Sequence, residues 1–186
     1  KVHLFWGDER CVPPTDAESN FRMTDEALLR NISVPAQNVH RIRAERPPQE
    51  AAALYAEEIT RLFKLEANIS PKFDVTLLGL GEDGHTASLF PGTTVLTETQ
   101  KLVSEVFVPK LDAYRISLTY PTINNSRTIL FLISGASKAE ILHEVLEGEQ
   151  HQYPSQFIEP TDGTLYWFVD AAASAHLRSI DRLHRE

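Results

Sequence analysis

The chain has 186 residues, 42% of them hydrophobic and 24% charged, which suits one folded domain with a substantial core. Its formal net charge of −8 speaks against a nucleic-acid surface, which needs a basic face, but leaves room for a local basic pocket that takes one small phosphate. No apolar run is long enough to span a membrane, nothing reads as a secretory leader, and the one cysteine, Cys11, excludes an internal disulfide or a cysteine-rich metal site.

Residues 2–6 read as a buried strand, directly after Lys1 rather than Met, which predicts that the beginning of the domain is missing. Residues 7–16 read as a loop, with Pro13 and Pro14 forbidding helix. A helix is predicted over 18–29, capped by Asp16 or Ser19. Pro47 and Pro48 open a second helix running from Gln49 to about Ala67, with Ala52, Leu54, Tyr55, Ile59, Leu62 and Phe63 at helical spacing. Residues 73–78 are a buried strand that empties into glycines 79, 81 and 84, followed by a short helix ended by Pro91 and Gly92. Strands are predicted over 103–108 and 114–118, a helical stretch near 121–124, and a strongly apolar strand over 127–134. A helix over 135–146, a strand over 165–169 and a helix over 170–174 complete the chain. Strands alternating with helices predict a single α/β domain, an open, mostly parallel sheet with helices on both faces. Cys11 reads as a small, partly buried side chain, although the neighbouring Arg10 offers a way to lower its pKa. One free cysteine fits a reducing, cytoplasmic setting.

The chemistry is expected where the strand breaks into glycine, because open α/β sheets bind ligands at such edges. Gly79-Leu80-Gly81-Glu82-Asp83-Gly84 matches the dinucleotide pattern G-x-G-x-x-G. Two features oppose that use: Glu82 and Asp83 would repel a pyrophosphate, and the helix that follows is too short. Asp83 as a cap for that short helix is the plainer reading. It does not account for His85, which in the first turn of a helix is favoured in its neutral form, the form a general base needs. Asp83, two residues earlier, is placed to hold one ring nitrogen and leave the other free. Ser88 and Ser137 lack a nucleophile elbow. His3, His40, His143, His151, His176 and His184 show no metal-ligand spacing and read as surface or satisfied core residues.

Residues 5–10, with Pro13, Pro14, Asp16, Ser19, Asn20 and Arg22, resemble the first signature of the 6-phosphogluconolactonases, and residues 79–91 resemble the second. Arg115 to Thr119, Ser134, Gly135, Lys138 and residues 167–172 complete the pattern in order, over essentially the whole chain. The resemblance implies a sugar-phosphate isomerase-like fold and hydrolysis of 6-phospho-D-glucono-1,5-lactone in the pentose phosphate pathway, with no cofactor and no metal. It implies His85, Asp83 and Arg10 as catalytic residues and Asp8, Asn20, Gly81, Gly84, Arg115 and Lys138 as substrate-binding residues. The partner is then the small lactone, with neither nucleic acid nor membrane, and a monomer is favoured. The resemblance also implies that a serine- and glycine-rich phosphate loop and the first strands precede Lys1 in the family. Glucosamine-6-phosphate deaminases share the superfamily, but carry a glutamate where this chain has Phe90 and a tyrosine where it has Arg10. Both departures favour the lactonase. A catalytically silent sugar-phosphate sensor and an inactive fragment are the remaining alternatives.

Overall fold

A computed structural model describes residues 2–66 and 69–178. Ala67 and His184, which entered the sequence reading, lie outside them. Eight strands and four α-helices are present among the described residues, and their buried side chains form one apolar cluster. No helix among them is long and apolar enough to cross a membrane.

β1 (Leu4–Phe5) pairs in parallel with β3 (Val39–His40). Helix α2 (Pro48–Phe63) starts on a proline whose fixed φ suits a first turn, and ends at Lys64 in the left-handed region. Its buried stripe is Ala51, Ala52, Tyr55 and Ile59. The Tyr55 hydroxyl accepts from the Trp6 N–H at 2.9 Å and donates to the Trp6 carbonyl at 3.0 Å. That clamp fixes the chain where it leaves β1.

The next residues were read as loop, but β2 (Asp8–Arg10) is a strand, antiparallel to β6 (Ala113–Leu118), which pairs on its other edge with β5 (Val103–Val108). Three consecutive charged residues have low strand propensity. The open edge of β6 supplies the backbone partners that override it. Ser19 caps α1 (Asn20–Ala27), shorter than the helix predicted over 18–29.

β4 (Thr76–Leu78), β7 (Thr128–Ile133) and β8 (Thr164–Val169) form a parallel sheet in the order β4-β7-β8. With β1 and β3, this gives the open, mostly parallel α/β arrangement expected. β4 is not buried on both sides, however. Thr76 and Leu78 face the core while Val75 and Leu77 are exposed, on a face shared with the exposed Tyr166. The run over 127–134 leads into a 3-10 turn (Ala136–Lys138) before α4 (Ala139–Glu147), so Lys138 is the N-cap rather than part of a first helical turn. α3 (Tyr120–Asn124) matches expectation. Residues 170–174 form a turn, not a helix: the Asp170 carboxylate accepts from the Ala173 N–H at 2.7 Å and from the Gly135 N–H at 3.0 Å, tying two sheet ends together.

Candidate active site

Strand alternation separates the three residues of β2. Glu9 points into the core, where its carboxylate accepts from the N–H groups of Asn20 (2.7 Å) and Phe21 (2.8 Å) and from the Ser19 hydroxyl (3.0 Å). An acid at a helix N-terminus is favourable, and here it anchors α1 to β2. Anchoring α1 brings Asn20 to Asp8, and the Asn20 amide donates to the Asp8 carbonyl (3.0 Å) and Oδ1 (3.2 Å). The other Asp8 oxygen accepts from the Ser88 hydroxyl at 2.7 Å, and the Ser88 N–H donates to Ser117 Oγ at 3.2 Å. Asp8 therefore joins β2, α1, β6 and the glycine loop. Burial pushes its carboxyl above the ordinary range, against the opposing effect of Ser88, Arg10 and His85.

Arg10 and Arg115 face each other across the β2–β6 pair. The Arg10 guanidinium donates to the Glu18 carbonyl and that of Arg115 to the Tyr114 carbonyl (3.2 Å). Neither forms a direct ion pair with a carboxylate among the described residues, although the charges of Asp8 and Glu18 act on Arg115. Burial, and then the charge of Arg10, push the Arg115 pKa down. Like charges directly across a strand pair are unfavourable. An anion taken between two such forks relieves that cost and gains charge-assisted hydrogen bonds. Burial of Cys11 raises its thiol pKa, although Arg115 acts the other way, and the side chain is partly buried as read from sequence.

No helix follows the glycines. The Gly81 N–H donates to the His85 carbonyl at 2.8 Å, Thr86 Oγ1 donates to the Gly79 carbonyl at 2.9 Å, and Thr86 and Leu89 bridge a tight turn with Ala87 in the left-handed region. Bonds to Gly79, Asp8 and Ser117 hold this segment where a helix was expected, so neither a helix dipole at His85 nor a helix cap at Asp83 operates. The pairing of the two side chains does occur. Asp83 Oδ1 accepts a hydrogen bond from His85 Nδ1–H, and Nε2 has no hydrogen-bond partner among the described residues. The imidazole lies on the Phe90 ring, centroids 4.0 Å apart. A Cβ on Gly81 would come within 2.0 Å of His85 Nδ1, and Gly84 has φ +73° beneath the Tyr153 ring. Both glycines are needed for the ring to sit where it does. Lys110, from the turn between β5 and β6, pairs with Asp83 Oδ2. Although partial burial works in the other direction, the hydrogen bonds from Lys110 and His85 hold the Asp83 carboxyl at about 2.

Lys138 follows β7 at the same sheet edge from which β4 runs into the glycine loop. No side-chain bond links it to Arg10, Arg115 or His85 among the described residues. The fold thus assembles Asp8 with Asn20, Arg10 with Arg115, and Asp83 with His85, and leaves Lys138 on the shared edge. Sequence reading missed Lys110, used Phe90 only to separate the chain from the deaminases, and gave Ser117 no role beyond the resemblance, while weighing Ser88 as a nucleophile. Strand register and turn geometry place these residues, and no local pattern announces them. Among the other histidines, His40 is buried and satisfied by Glu58 at 2.7 Å and His3 at 2.9 Å. One cleft away from His85 is lined by Arg41, Arg43, Tyr55, Glu57, Glu58 and Arg61. Among the described residues, no group of three or more His, Cys, Asp or Glu side chains could hold a metal.

Chemically, the arrangement offers an imidazole oriented through one nitrogen, with the other free to take a proton, and a pair of facing guanidiniums without a direct carboxylate ion pair among the described residues. Comparison with known proteins identifies the family. The family model for glucosamine-6-phosphate isomerases/6-phosphogluconolactonase matches residues 1–167. A 6-phosphogluconolactonase of Synechocystis sp. is 42% identical over 96% of this chain and 74% of its own length. One of Homo sapiens is 38% identical over 90% of this chain and 65% of its own. Among solved structures, that of the devB protein superposes with a TM-score of 0.88 at 40% identity, covering 94% of this chain and 74% of that one. The 6-phosphogluconolactonase from Trypanosoma cruzi gives 0.82 at 31% identity, covering 95% and 73%. A monomeric glucosamine-6-phosphate deaminase, 21% identical with a TM-score of 0.75, shares the fold. With sequence and fold in agreement, the chain belongs to the glucosamine-6-phosphate isomerase/6-phosphogluconolactonase family.

Proposed function

We propose that this chain hydrolyses 6-phospho-D-glucono-1,5-lactone to 6-phospho-D-gluconate, with His85 as the general base. The observation that carries the reading is the Asp83–His85 pair with Nε2 left free. Nε2 takes a proton from water as the water oxygen attacks the lactone carbonyl. The carbonyl π electrons move to oxygen, giving a tetrahedral oxyanion. Its collapse breaks the bond to the ring oxygen, and the imidazolium returns its proton to that oxygen as the hydroxyl leaves. The new carboxylic acid then ionises. Asp83 keeps the ring in one tautomer and stabilises the transient imidazolium.

Arg10 takes the oxyanion or the sugar oxygens, and Arg115 with Lys138 takes the phosphate. The facing Arg10–Arg115 pair supports an anionic substrate between them. Asp8 and Asn20 bind sugar hydroxyls. Gly81 and Gly84 keep the loop close enough for substrate to approach its backbone. The continuous apolar cluster supports reading the chain as one lactonase domain, and a free Cys11 is in keeping with a reducing compartment.

Acid release from freshly made lactone, corrected for spontaneous hydrolysis, tests the reading. His85→Asn is expected to lower kcat by ~10²–10⁴-fold, the usual worth of a general base. Near-full turnover by that variant would remove His85 from the role. The deaminase alternative meets a specific obstacle. Phe90, where those enzymes carry glutamate, is buried and packed flat on His85. Ammonia release from glucosamine 6-phosphate would reverse the choice.

A further inference from the structure

Asp83 has two carboxylate oxygens, and the fold uses them differently. Oδ1 faces His85 Nδ1 and, at 3.3 Å, the His85 N–H, whereas Oδ2 receives the Lys110 ammonium. The same ammonium lies 4.8 Å from the centroid of the Phe90 ring, on which His85 is stacked. Lys110 thus touches both supports of the imidazole, the carboxylate that orients it and the ring beneath it. Its own position is fixed by the 3-10 turn Pro109–Leu111 that joins β5 to β6, closed by Asp112 in the left-handed region.

We propose that Lys110 is a positioning residue for the reaction. It holds Asp83 so that one oxygen stays on His85, and it offsets part of the carboxylate charge that the imidazole would otherwise feel. This rests on the reading of His85 as the base. A lone ion pair with a lysine side chain 51% exposed would contribute little to stability. Here the partner carboxylate is already committed to His85, so the ammonium acts on proton affinity rather than on the fold. The charged groups bearing on His85 are Asp83, Asp8 and, through Asp83, Lys110. Asp83 and Asp8 favour the imidazolium and Lys110 opposes it. Removing Lys110 therefore strengthens the pull of Asp83 on the imidazolium and leaves Asp83 Oδ2 without that partner.

The test compares Lys110→Met and Lys110→Arg with the unchanged chain, by the pH profile of kcat/KM and by NMR titration of the His85 ring. Lys110→Met is expected to lower kcat about 3- to 10-fold with KM little changed. It should also raise both the acidic limb and the His85 titration midpoint by roughly half a pH unit, the scale of one partly screened charge. Lys110→Arg should restore both. An unchanged His85 titration overturns the proposal whatever the kinetics, and so does an unmoved acidic limb in an active enzyme. A rise in KM with no change in titration also overturns it, by making Lys110 a substrate contact. If the unchanged chain releases no acid, the functional reading fails by itself, and the titration still decides what Lys110 does to His85.

Discussion

Asp8 is a carboxylate kept where its surroundings resist its charge. Burial raises its pKa above the ordinary 3.8, and Ser88, Arg10 and His85 offset that only in part. A group whose folded pKa is raised contributes stability below its unfolded pKa and loses it as pH rises through the folded value. Ionised Asp8 therefore costs stability at neutral pH. Asp8→Asn should melt higher than the unchanged chain at pH 7, with the gain shrinking towards pH 4, as thermal scans across that range would record. If Asp8 binds a sugar hydroxyl, the same variant should lose roughly tenfold or more in kcat/KM, the worth of one charge-assisted hydrogen bond. Higher stability with full activity would remove Asp8 from the substrate site. Asp83 has the opposite sign. Held at about 2, it supports the fold above pH 3.8, and that support fades as pH falls towards 2.

β2 is the element on which the site depends most, and it was the least visible in the sequence. Asp8, Glu9 and Arg10 read as loop because their own propensities say so. Only the register with β6 makes them a strand, with Arg10 opposite Arg115. The Asp83–His85 pair could be read in advance because two residues of separation keep it local. Its supposed helix could not, because bonds from Gly79, Asp8 and Ser117 hold the segment as a turn. Lys110 stands 27 residues from Asp83, and the two meet through a turn that no nearby pattern encodes. Of the parallel strands, β1, β4, β7 and β8 were found from their apolar runs, and the two-residue β3 was not. The exposure of Val75 and Leu77 was not, since a strand apolar on both sides looks the same whichever face is covered. Glu9 links β2 to α1 through a buried carboxylate with three donors outside its own strand. Glu9→Ala should destabilise the chain by ~1.5–3 kcal/mol in urea titrations, the range for hydrogen bonds to a charged group. A loss under ~0.5 kcal/mol would mean that α1 holds its place without it.

Over the whole molecule, an acidic chain folds so that two arginines from distant segments face each other across a strand pair, neither in a direct carboxylate ion pair among the described residues. Folding therefore leaves an unfavourable contact that a bound anion can relieve, and any ligand that prefers the folded state raises its stability by RT ln(1 + [L]/Kd). Inorganic phosphate at about 100 times its Kd would add about 2.7 kcal/mol, visible as a higher Tm than in chloride of equal ionic strength. Arg115→Ala should abolish the difference. An equal response in both salts would mean that the arginines hold no anion. The melting curve thereby becomes a gauge of occupancy that needs no turnover. It would report substrate-like ligands even in a His85 variant that has lost its chemistry, so recognition and catalysis can be measured apart.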